Sequence, residues 1–401
     1  MHQDAAGHPA EDSPARWNPV LLALSGLAVI ALAALPFLKV APNRLVSGEP
    51  ASFLSVLQGP AWLPAALLAA VFAASFVKPN RALLWFVAMA SMASVAGLVW
   101  LAGLHATFVA QTASPIARTS LGGAFWAVSL LLGLTAADAL QRLRVSSRAR
   151  TGLLLAALLP IYAMIAAGWC SDLSIMKEYA NRADTFVQAI ARHVQIVGVA
   201  LVPTLAIGLP LGWLAWRHVR AGASLFPVLN VIQTIPSIAL FGLLMAPLAL
   251  LAGAWPALAR AGISGVGLAP GVIALTLYSL LPVVRGTLAG LEQVPFSVRN
   301  AALGLGMAPA QIFWRVDVPL AAPVVLAGIR TATIQMVGLT AVTALIGAGG
   351  LGAIMFEGLF SSAQDMVLLG VVPIIVLGVL VDAAFTAIIT LVGRKGLLRH
   401  D

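Results

Sequence analysis

The chain has 401 residues, of which 61% are hydrophobic and only 9% are charged, and its formal net charge is +9. Soluble domains usually carry about 25% charged residues, so this composition excludes an ordinary soluble protein. The mean hydropathy of +0.99 indicates a multi-pass membrane protein, in which excess Lys and Arg mark cytoplasmic loops and not a nucleic-acid surface. The single cysteine, Cys170, excludes an intramolecular disulfide and a cysteine-based metal site.

Apolar runs of about 17–28 residues recur along the chain, and each can cross a bilayer as a helix. We therefore predict an all-α polytopic membrane protein with about ten transmembrane helices. The predicted spans are residues 18–38, 61–77, 82–104, 121–140, 152–169, 194–216, 225–252, 268–289, 320–346 and 366–392. The first span is expected to be retained, because its apolar run exceeds the roughly 7–15 residues of the apolar region of a signal peptide and acidic residues precede Arg16.

This pattern divides the chain into three parts. Residues 1–170 form an N-terminal five-helix membrane region without a chemical motif, and residues 194–401 carry the other five spans. Between them, residues 171–193 alternate charged and apolar side chains. That alternation fits either an amphipathic helix at the membrane interface or a plain extracytoplasmic linker, and both interpretations stay open.

Basic residues are distributed unevenly between the two sets of loops. With the N-terminus in the cytoplasm, fifteen of the 23 Lys and Arg residues lie in inner loops or at adjoining span ends. Seven lie in outer loops, and Arg330 lies within a span. This asymmetry predicts that both termini, residues 141–150 and residues 291–319 are cytoplasmic.

A polar stretch interrupts the apolar spans in the last third of the chain. It runs Asn300-Ala301-Ala302, three residues, Gly306, nine residues, then Val316-Asp317-Val318-Pro319. Small side chains at its centre let another protein surface approach closely, which indicates a docking element. The stretch resembles the loop by which permease subunits of ABC importers hold their ATPase. That family pattern is Glu-Ala-Ala, three residues, Gly, nine residues and Ile-x-Leu-Pro, so Asn300 replaces the usual acid.

The resemblance implies that residues 291–319 dock a separate ATPase. The implied docking residues are Arg299, Asn300, Ala301, Ala302, Gly306 and Pro319. The chain carries no phosphate-binding P-loop, so ATP hydrolysis is expected on that partner. An ABC transporter has two ATPase subunits and this chain has one docking loop, so two permease copies are expected to form the path.

Two further motifs resemble permease segments. Residues 230–237 read NVIQTIPS, similar to a run in osmoprotectant permeases, and residues 347–352 read GAGGLG, similar to a segment of methionine-type and glycine-betaine-type permeases. Proline kinks a helix, and glycine permits a tight turn or close helix approach. The implied translocation-path residues are Gln233, Thr234, Pro236, Ser237, Gly347, Gly349, Gly350 and Gly352. A structural kink and a simple flexible loop are the alternatives.

Arg330 and Asp382 are ionisable residues inside or near the last two predicted spans. Such residues are costly in hydrocarbon and are often functional, so Arg330 is added to the candidate path. Snorkelling to an interface and pairing with each other are the alternatives to substrate contact.

Three motifs in the family's order, within residues 194–392, resemble permeases of the Yeh-type osmoprotectant importers, which also carry extra N-terminal helices. The resemblance implies a type I permease subunit of an ATP-driven, binding-protein-dependent importer of glycine betaine or a related solute. The implied partners are an ABC ATPase, an extracytoplasmic solute-binding protein and a second permease copy, in the bacterial inner membrane and without a cofactor, metal or nucleic acid. A permease for methionine-like or phosphonate-like solutes and an ion-coupled secondary transporter are the alternatives.

Overall fold

The computed structural model describes residues 18–397 except residues 45, 47, 58–61 and 261. Arg16 and Arg399, both used to predict the orientation, lie outside the described residues, as does the first residue of the second predicted span. The chain consists of two compact units, Met1–Lys177 and Glu178–Asp401.

The first unit combines helices with a small sheet. Its elements are α1 (Pro19–Ala34), β1 (Leu38–Ala41), β2 (Glu49–Ala51), α2 (Phe53–Val56), α3 (Trp62–Ala74), α4 (Arg81–Thr112), β3 (Arg118–Leu121), α5 (Gly123–Arg142), α6 (Ser147–Ala156) and α7 (Leu159–Ala166), and α8 (Ser174–Asn181) contains the boundary. The strands are antiparallel in the order β2-β1-β3, with Leu38 opposite both Ala51 and Leu121. Strands of three or four residues carry too little alternation to be recognised in the sequence, so this sheet was not predicted.

Local chemistry sets where helices of the first unit begin. The Asn18 side chain accepts a hydrogen bond from the Leu21 N–H at 3.2 Å, and Asn80 accepts one from Leu83 at 2.7 Å. These bonds satisfy amide groups that have no partner in the first turn of a helix. In the apolar core of this unit, Phe37 is fully buried and packs edge-to-face with Phe53 at a ring-centroid distance of 5.2 Å.

The second unit is helical. Its elements are α9 (Ala183–Arg217), α10 (Val219–Thr234), α11 (Ser237–Ala254), α12 (Pro256–Arg260), α13 (Leu268–Glu292), α14 (Phe296–Gly304), α15 (Pro309–Ile312), a π-helical turn (Phe313–Asp317), α16 (Val318–Thr340), a 3-10 turn (Val342–Ile346), α17 (Leu351–Phe360) and α18 (Gln364–Leu397).

Helix α13 packs against both α9 and α16 through small residues. A Cβ placed on Gly286 of α13 would lie 2.7 Å from the Gly328 Cα of α16, so neither position can hold a larger residue without movement. Gly212 of α9 meets Thr287 of α13 in the same way, at 2.5 Å. In hydrocarbon, helices gain little from hiding apolar surface, so close backbone packing of this kind holds them together.

The predicted all-α polytopic membrane fold is confirmed. Within the described residues, eight helical stretches are long and apolar enough to cross a membrane, and they correspond to the last eight predicted spans. One of them, Ala149–Ala166, combines most of α6 with α7. The first two predicted spans correspond to α1 and α3, which are apolar but have only 16 and 13 residues.

Some segments differ from the sequence-based expectation in detail. The predicted span 225–252 is interrupted between α10 and α11. Residues 171–193 are mostly helical, because they contain α8 and the first turns of α9. The expected docking loop, residues 291–319, is mostly helical, because Pro295 and Ala308 begin the short helices α14 and α15. We name residues 291–319 the docking segment.

Candidate functional site

The first helix of the docking segment ends in a glycine turn. Gly306 has a φ of +77°, and its N–H donates to the Leu303 carbonyl at 2.9 Å. The Met307 N–H donates to the Ala302 carbonyl at 3.1 Å. These two bonds form a Schellman motif, which requires a residue in the left-handed conformation. Backbone geometry therefore favours glycine at position 306, and the space beside its Cα is open.

An ion pair joins α14 to the end of the docking segment. Arg299 Nε donates to Asp317 Oδ1 at 2.7 Å, and Arg299 Nη2 donates to the Leu291 carbonyl at 2.7 Å. The guanidinium carbon also lies 5.1 Å from the ring centroid of Trp216. Asp317 is buried, and a buried carboxylate is strongly destabilising once its partner is removed. Arg299 therefore fixes the shape of the segment from within the chain.

The outward face of the docking segment carries large apolar side chains that are exposed. Phe296, Leu303, Leu305 and Trp314 expose 74%, 53%, 83% and 68% of their surface. Several large apolar side chains that stay exposed within one short segment are typical of protein interaction sites. We name these four residues the docking surface. The family motif drew attention to small residues and missed them, although four large apolar residues within a polar stretch are visible in the sequence.

The six docking residues expected from the sequence do not all share this exposure. Asn300, Ala301, Gly306 and Pro319 are exposed, whereas Ala302 is buried and Arg299 is partly buried. Four of the six are thus available to a partner, and the other two support them from inside.

Pro236 separates α10 from α11, and two hydrogen bonds tie this break to α13. Gln233 Nε2 donates to the Tyr278 carbonyl at 2.8 Å, and the Tyr278 hydroxyl donates to the Ile235 carbonyl. Pro282 has no N–H to offer the Tyr278 carbonyl one turn earlier, so the Gln233 amide replaces the missing helical bond. We name this pair of bonds the Gln233–Tyr278 latch.

The remaining polar residues of this motif act locally. The Thr234 hydroxyl donates to the Val231 carbonyl at 2.8 Å, within the last turn of α10. Ser237 is partly buried at the start of α11, and Pro236 is exposed. Tyr278, which completes the latch, was missed from the sequence because it lies 45 residues from Gln233.

The glycine-rich motif forms a tight turn between the 3-10 turn and α17. Gly347, Gly349 and Gly350 have φ angles of +79°, +85° and +81°, which larger residues rarely adopt. Gly352 serves close packing instead, since a Cβ there would lie 1.9 Å from the Ala341 carbonyl oxygen.

Side chains of α9 hold this turn in place. Arg192 Nε donates to the Ala348 carbonyl at 2.9 Å, and His193 Nε2 lies 3.0 Å from the Val337 carbonyl oxygen. Ala341 directs its N–H to Gly338 instead of Val337, so the histidine fits a carbonyl that α16 leaves free at its end. The separations of 156 and 144 residues hid both contacts from the sequence.

Arg330 of α16 pairs with Asp382 of α18. Arg330 Nε donates to Asp382 Oδ1 at 2.6 Å, and Arg330 Nη2 contacts the same oxygen. The sequence left open whether Arg330 and Asp382 pair with each other or extend to an interface, and in the structure they pair.

The candidate residues on α13 and its neighbours lie in two regions, one near the start of α13 and one after its end. Tyr278 of the latch, Phe241 of α11 and Ile346 beside the glycine turn share one buried apolar cluster. The residues near 235 and 347 that the sequence predicts to line the path thus belong to one packed region around α13. The docking segment follows the opposite end of α13.

Two family models match the chain. Residues 16–176 match the N-terminal domain of the ABC transporter permease YehY, and residues 205–394 match the binding-protein-dependent transport system inner membrane component.

Among curated proteins, the osmoprotectant import permease protein OsmW of Salmonella typhimurium is 39% identical over 191 residues, which are 48% of this chain and 84% of that protein. The choline transport system permease protein OpuBB of Bacillus subtilis is 35% identical over 190 residues, which are 47% of this chain and 80% of that protein. A solved inward-facing structure of the MetNI methionine ABC transporter aligns with 53% of this chain and 98% of its own, at 22% identity and a TM-score of 0.46.

Proposed function

The chain belongs to the osmoprotectant permease family of ABC importers, and from that premise we propose that it is the membrane-spanning permease subunit of an ATP-driven importer of glycine betaine or a closely related solute. The family membership confirms the resemblance seen in the motifs. The relatives support the solute class, since their names specify osmoprotectants, choline, and glycine betaine with carnitine and choline. A methionine-like or phosphonate-like solute is less consistent with those names.

The docking surface is the observation that carries the proposed mechanism. Leu305 and Trp314 are exposed in the same segment as the exposed small residues Ala301 and Gly306, and the Arg299–Asp317 pair ties α14 to the end of that segment. A rigid helical segment with exposed apolar side chains is suited to a partner whose movement must be transmitted to the membrane helices. The partner that fits this task is a separate ATPase, which would bind and hydrolyse ATP and transmit its closure through residues 291–319.

The orientation and the remaining partners follow from the same proposal. Both termini and the docking segment lie in the cytoplasm, in agreement with the asymmetry of basic residues. An extracytoplasmic binding protein delivers the solute, and two copies of the chain form the path. The path runs beside the latch and the glycine turn, which join helix breaks to α13, and breaks of this kind let packed helices change their relative positions.

Co-purification of the ATPase with permease variants tests the docking surface. Leu305→Glu or Trp314→Glu should remove ATPase binding, because a charge replaces an apolar contact, while membrane insertion stays at the parent level. Val219→Glu is the matched control, since Val219 is also exposed, at 85%, but lies outside the docking segment. Full ATPase recovery with both docking variants would remove the basis of this assignment.

Reconstitution of the complete assembly in liposomes tests the function itself. Glycine betaine should accumulate only when the chain, the ATPase and the binding protein are present and ATP reaches the ATPase side. Accumulation driven by an ion gradient with this chain alone would favour a secondary transporter. If the assembly took up methionine but not glycine betaine, and did so only with ATP, the ATP-driven mechanism would stand and the assignment of the solute would be wrong.

A further inference from the structure

Arg330 and Asp382 lie near the middle of their membrane-spanning helices. Arg330 follows the start of α16 by twelve residues, and Asp382 precedes the end of α18 by fifteen, which places them about 18 Å and 22 Å along the helix axes at about 1.5 Å per residue. Charged side chains at this depth are costly in hydrocarbon, and they face protein or a water-filled cavity.

The second unit leaves about a third of each side chain of the pair exposed. Arg330 directs two of its five N–H groups to the single oxygen Oδ1 of Asp382, and each side chain keeps 36% of its surface exposed. Both charged groups therefore keep part of their surface accessible from outside the second unit.

The exposed face of α16 next to Arg330 is unlike a lipid-facing surface. Ala327, Thr331 and Gly338 are exposed and Gln335 is partly exposed, and their spacing places them on one side of the helix. Val324 and Ile334, large apolar residues on this side, are partly buried, as Gln335 is. Small and polar side chains at mid-membrane depth suit a wet path.

The exposed face of α18 has the opposite character. Most exposed residues described in α18 are large and apolar: Ile375, Val376, Val379, Leu380, Ile388 and Leu391. The exposed small residues Ala384 and Ala387 lie two and five positions after Asp382, which places them on the other side of the helix. This apolar face suits lipid. The contrast assigns the solute side of the ion pair to α16, where Arg330 borders the small and polar residues.

We propose that the Arg330–Asp382 pair is a contact site for zwitterionic solutes in the middle of the translocation path. The solute carboxylate binds the free N–H groups of Arg330, and its quaternary ammonium group lies against the carboxylate of Asp382. A solute dipole placed antiparallel to the ion pair satisfies both charges and adds no net charge to the membrane interior. This inference rests on the proposed function, because it assigns a recognition site within the same path.

Solute binding to the purified permease–ATPase complex, without the binding protein, tests this site directly. The probes are glycine betaine, which has both charges, and choline, which lacks the carboxylate. Arg330→Gln should weaken glycine betaine binding about tenfold, as expected for one lost charge-assisted hydrogen bond, and should change choline binding less than twofold. Arg142→Gln, in the half-exposed pair of Arg142 with Asp138, is the matched control and should change neither.

A double variant covers the case in which Arg330→Gln fails to assemble. Arg330→Gln with Asp382→Asn removes both charges, so no unpaired charge is left in the membrane. If the pair served structure alone, this variant would bind glycine betaine like the parent. The proposed site instead requires the variant to assemble normally and lose glycine betaine binding.

Three results would overturn the site. The first is an equal effect of Arg330→Gln on glycine betaine and choline binding, and the second is no binding of glycine betaine by the parent complex. The third is a variant that loses self-association but still binds glycine betaine, which would assign the pair to the interface between copies. Liposome uptake by the complete assembly separates this failure from a failure of the function. Uptake that persists without binding at the pair rejects the site and leaves the importer standing.

Discussion

At the scale of single residues, Gly306 combines a backbone role with an exposed position. Its φ of +77° closes the turn after α14, and among the described residues no atom beyond its two chain neighbours lies within 4 Å of a Cβ built there. A substitution at this position therefore changes two things at once. It strains the backbone, and it adds bulk where the partner is expected to approach.

Two substitutions at Gly306 separate these effects. Gly306→Leu should lower ATPase co-purification and destabilise the turn by about 1–2 kcal/mol, the cost of a left-handed conformation for an ordinary residue. Gly306→Asn should keep the turn, because asparagine tolerates this conformation. Thermal unfolding reports the turn and co-purification reports the docking. Full ATPase binding by the Leu variant would contradict a close approach at Gly306.

At the scale of elements, the Gln233–Tyr278 latch explains how the chain tolerates the break between α10 and α11. Pro236 breaks the helix and leaves the Ile235 carbonyl without a helical donor, and Pro282 leaves the Tyr278 carbonyl in the same state. Each break supplies a side chain near the carbonyl exposed by the other. Two prolines that would each weaken a lone helix are thereby compensated as a pair.

The latch predicts a measurable loss of stability. Tyr278→Phe keeps the ring but removes the hydroxyl, so the Ile235 carbonyl loses its donor at a cost of about 1–3 kcal/mol. Thermal unfolding of the solubilised protein should show a lower midpoint. Thr234→Val is the control, because its hydroxyl is exposed and bonds only within its own turn. An equal loss in both variants would mean that the latch contributes nothing specific.

Helix α17 depends on close packing at Gly352. Gly352→Ala should displace the start of α17, since its Cβ would lie 1.9 Å from the Ala341 carbonyl oxygen, and overpacking of this kind typically costs about 1–3 kcal/mol. Gly378→Ala in α18 meets no atom within 4 Å and should be neutral or stabilising. Folded yield and unfolding midpoint compare the two variants. A Gly352→Ala protein as stable as the parent would contradict the packing described here.

At the scale of the whole molecule, the proposed orientation can be tested with cysteine labelling. Cys170 is buried, and burial raises the pKa of its thiol, so little reactive thiolate forms near pH 7 and the native background should stay low. In intact cells, an impermeant reagent should not reach Asn300→Cys, and labelling should appear after permeabilisation. Ile116→Cys is the control, because Ile116 is exposed in a loop predicted to be outside. Labelling of position 300 from outside would overturn the orientation.

The sequence alone determined the features that depend on neighbouring residues. The lengths of apolar runs predicted the spans, because a span needs only its own residues to satisfy its backbone. The spacing from Asn300 to Pro319 indicated the family, which the relatives confirm, and predicted the docking segment, and the glycines at 347–350 predicted a tight turn. Each signal is read within a few turns of chain.

Only the tertiary structure decided which distant residues meet. Arg299 with Asp317, Gln233 with Tyr278, Arg192 with Ala348 and Arg330 with Asp382 lie 18, 45, 156 and 52 residues apart. Their partners depend on which helix faces pack together, and the hydrophobic pattern of a membrane helix contains little information about that, because lipid-facing and protein-facing sides are both apolar. The small sheet likewise follows from how elements assemble, and the exposure of the docking-surface side chains, although their residue types stand in the sequence, was decided only by the fold.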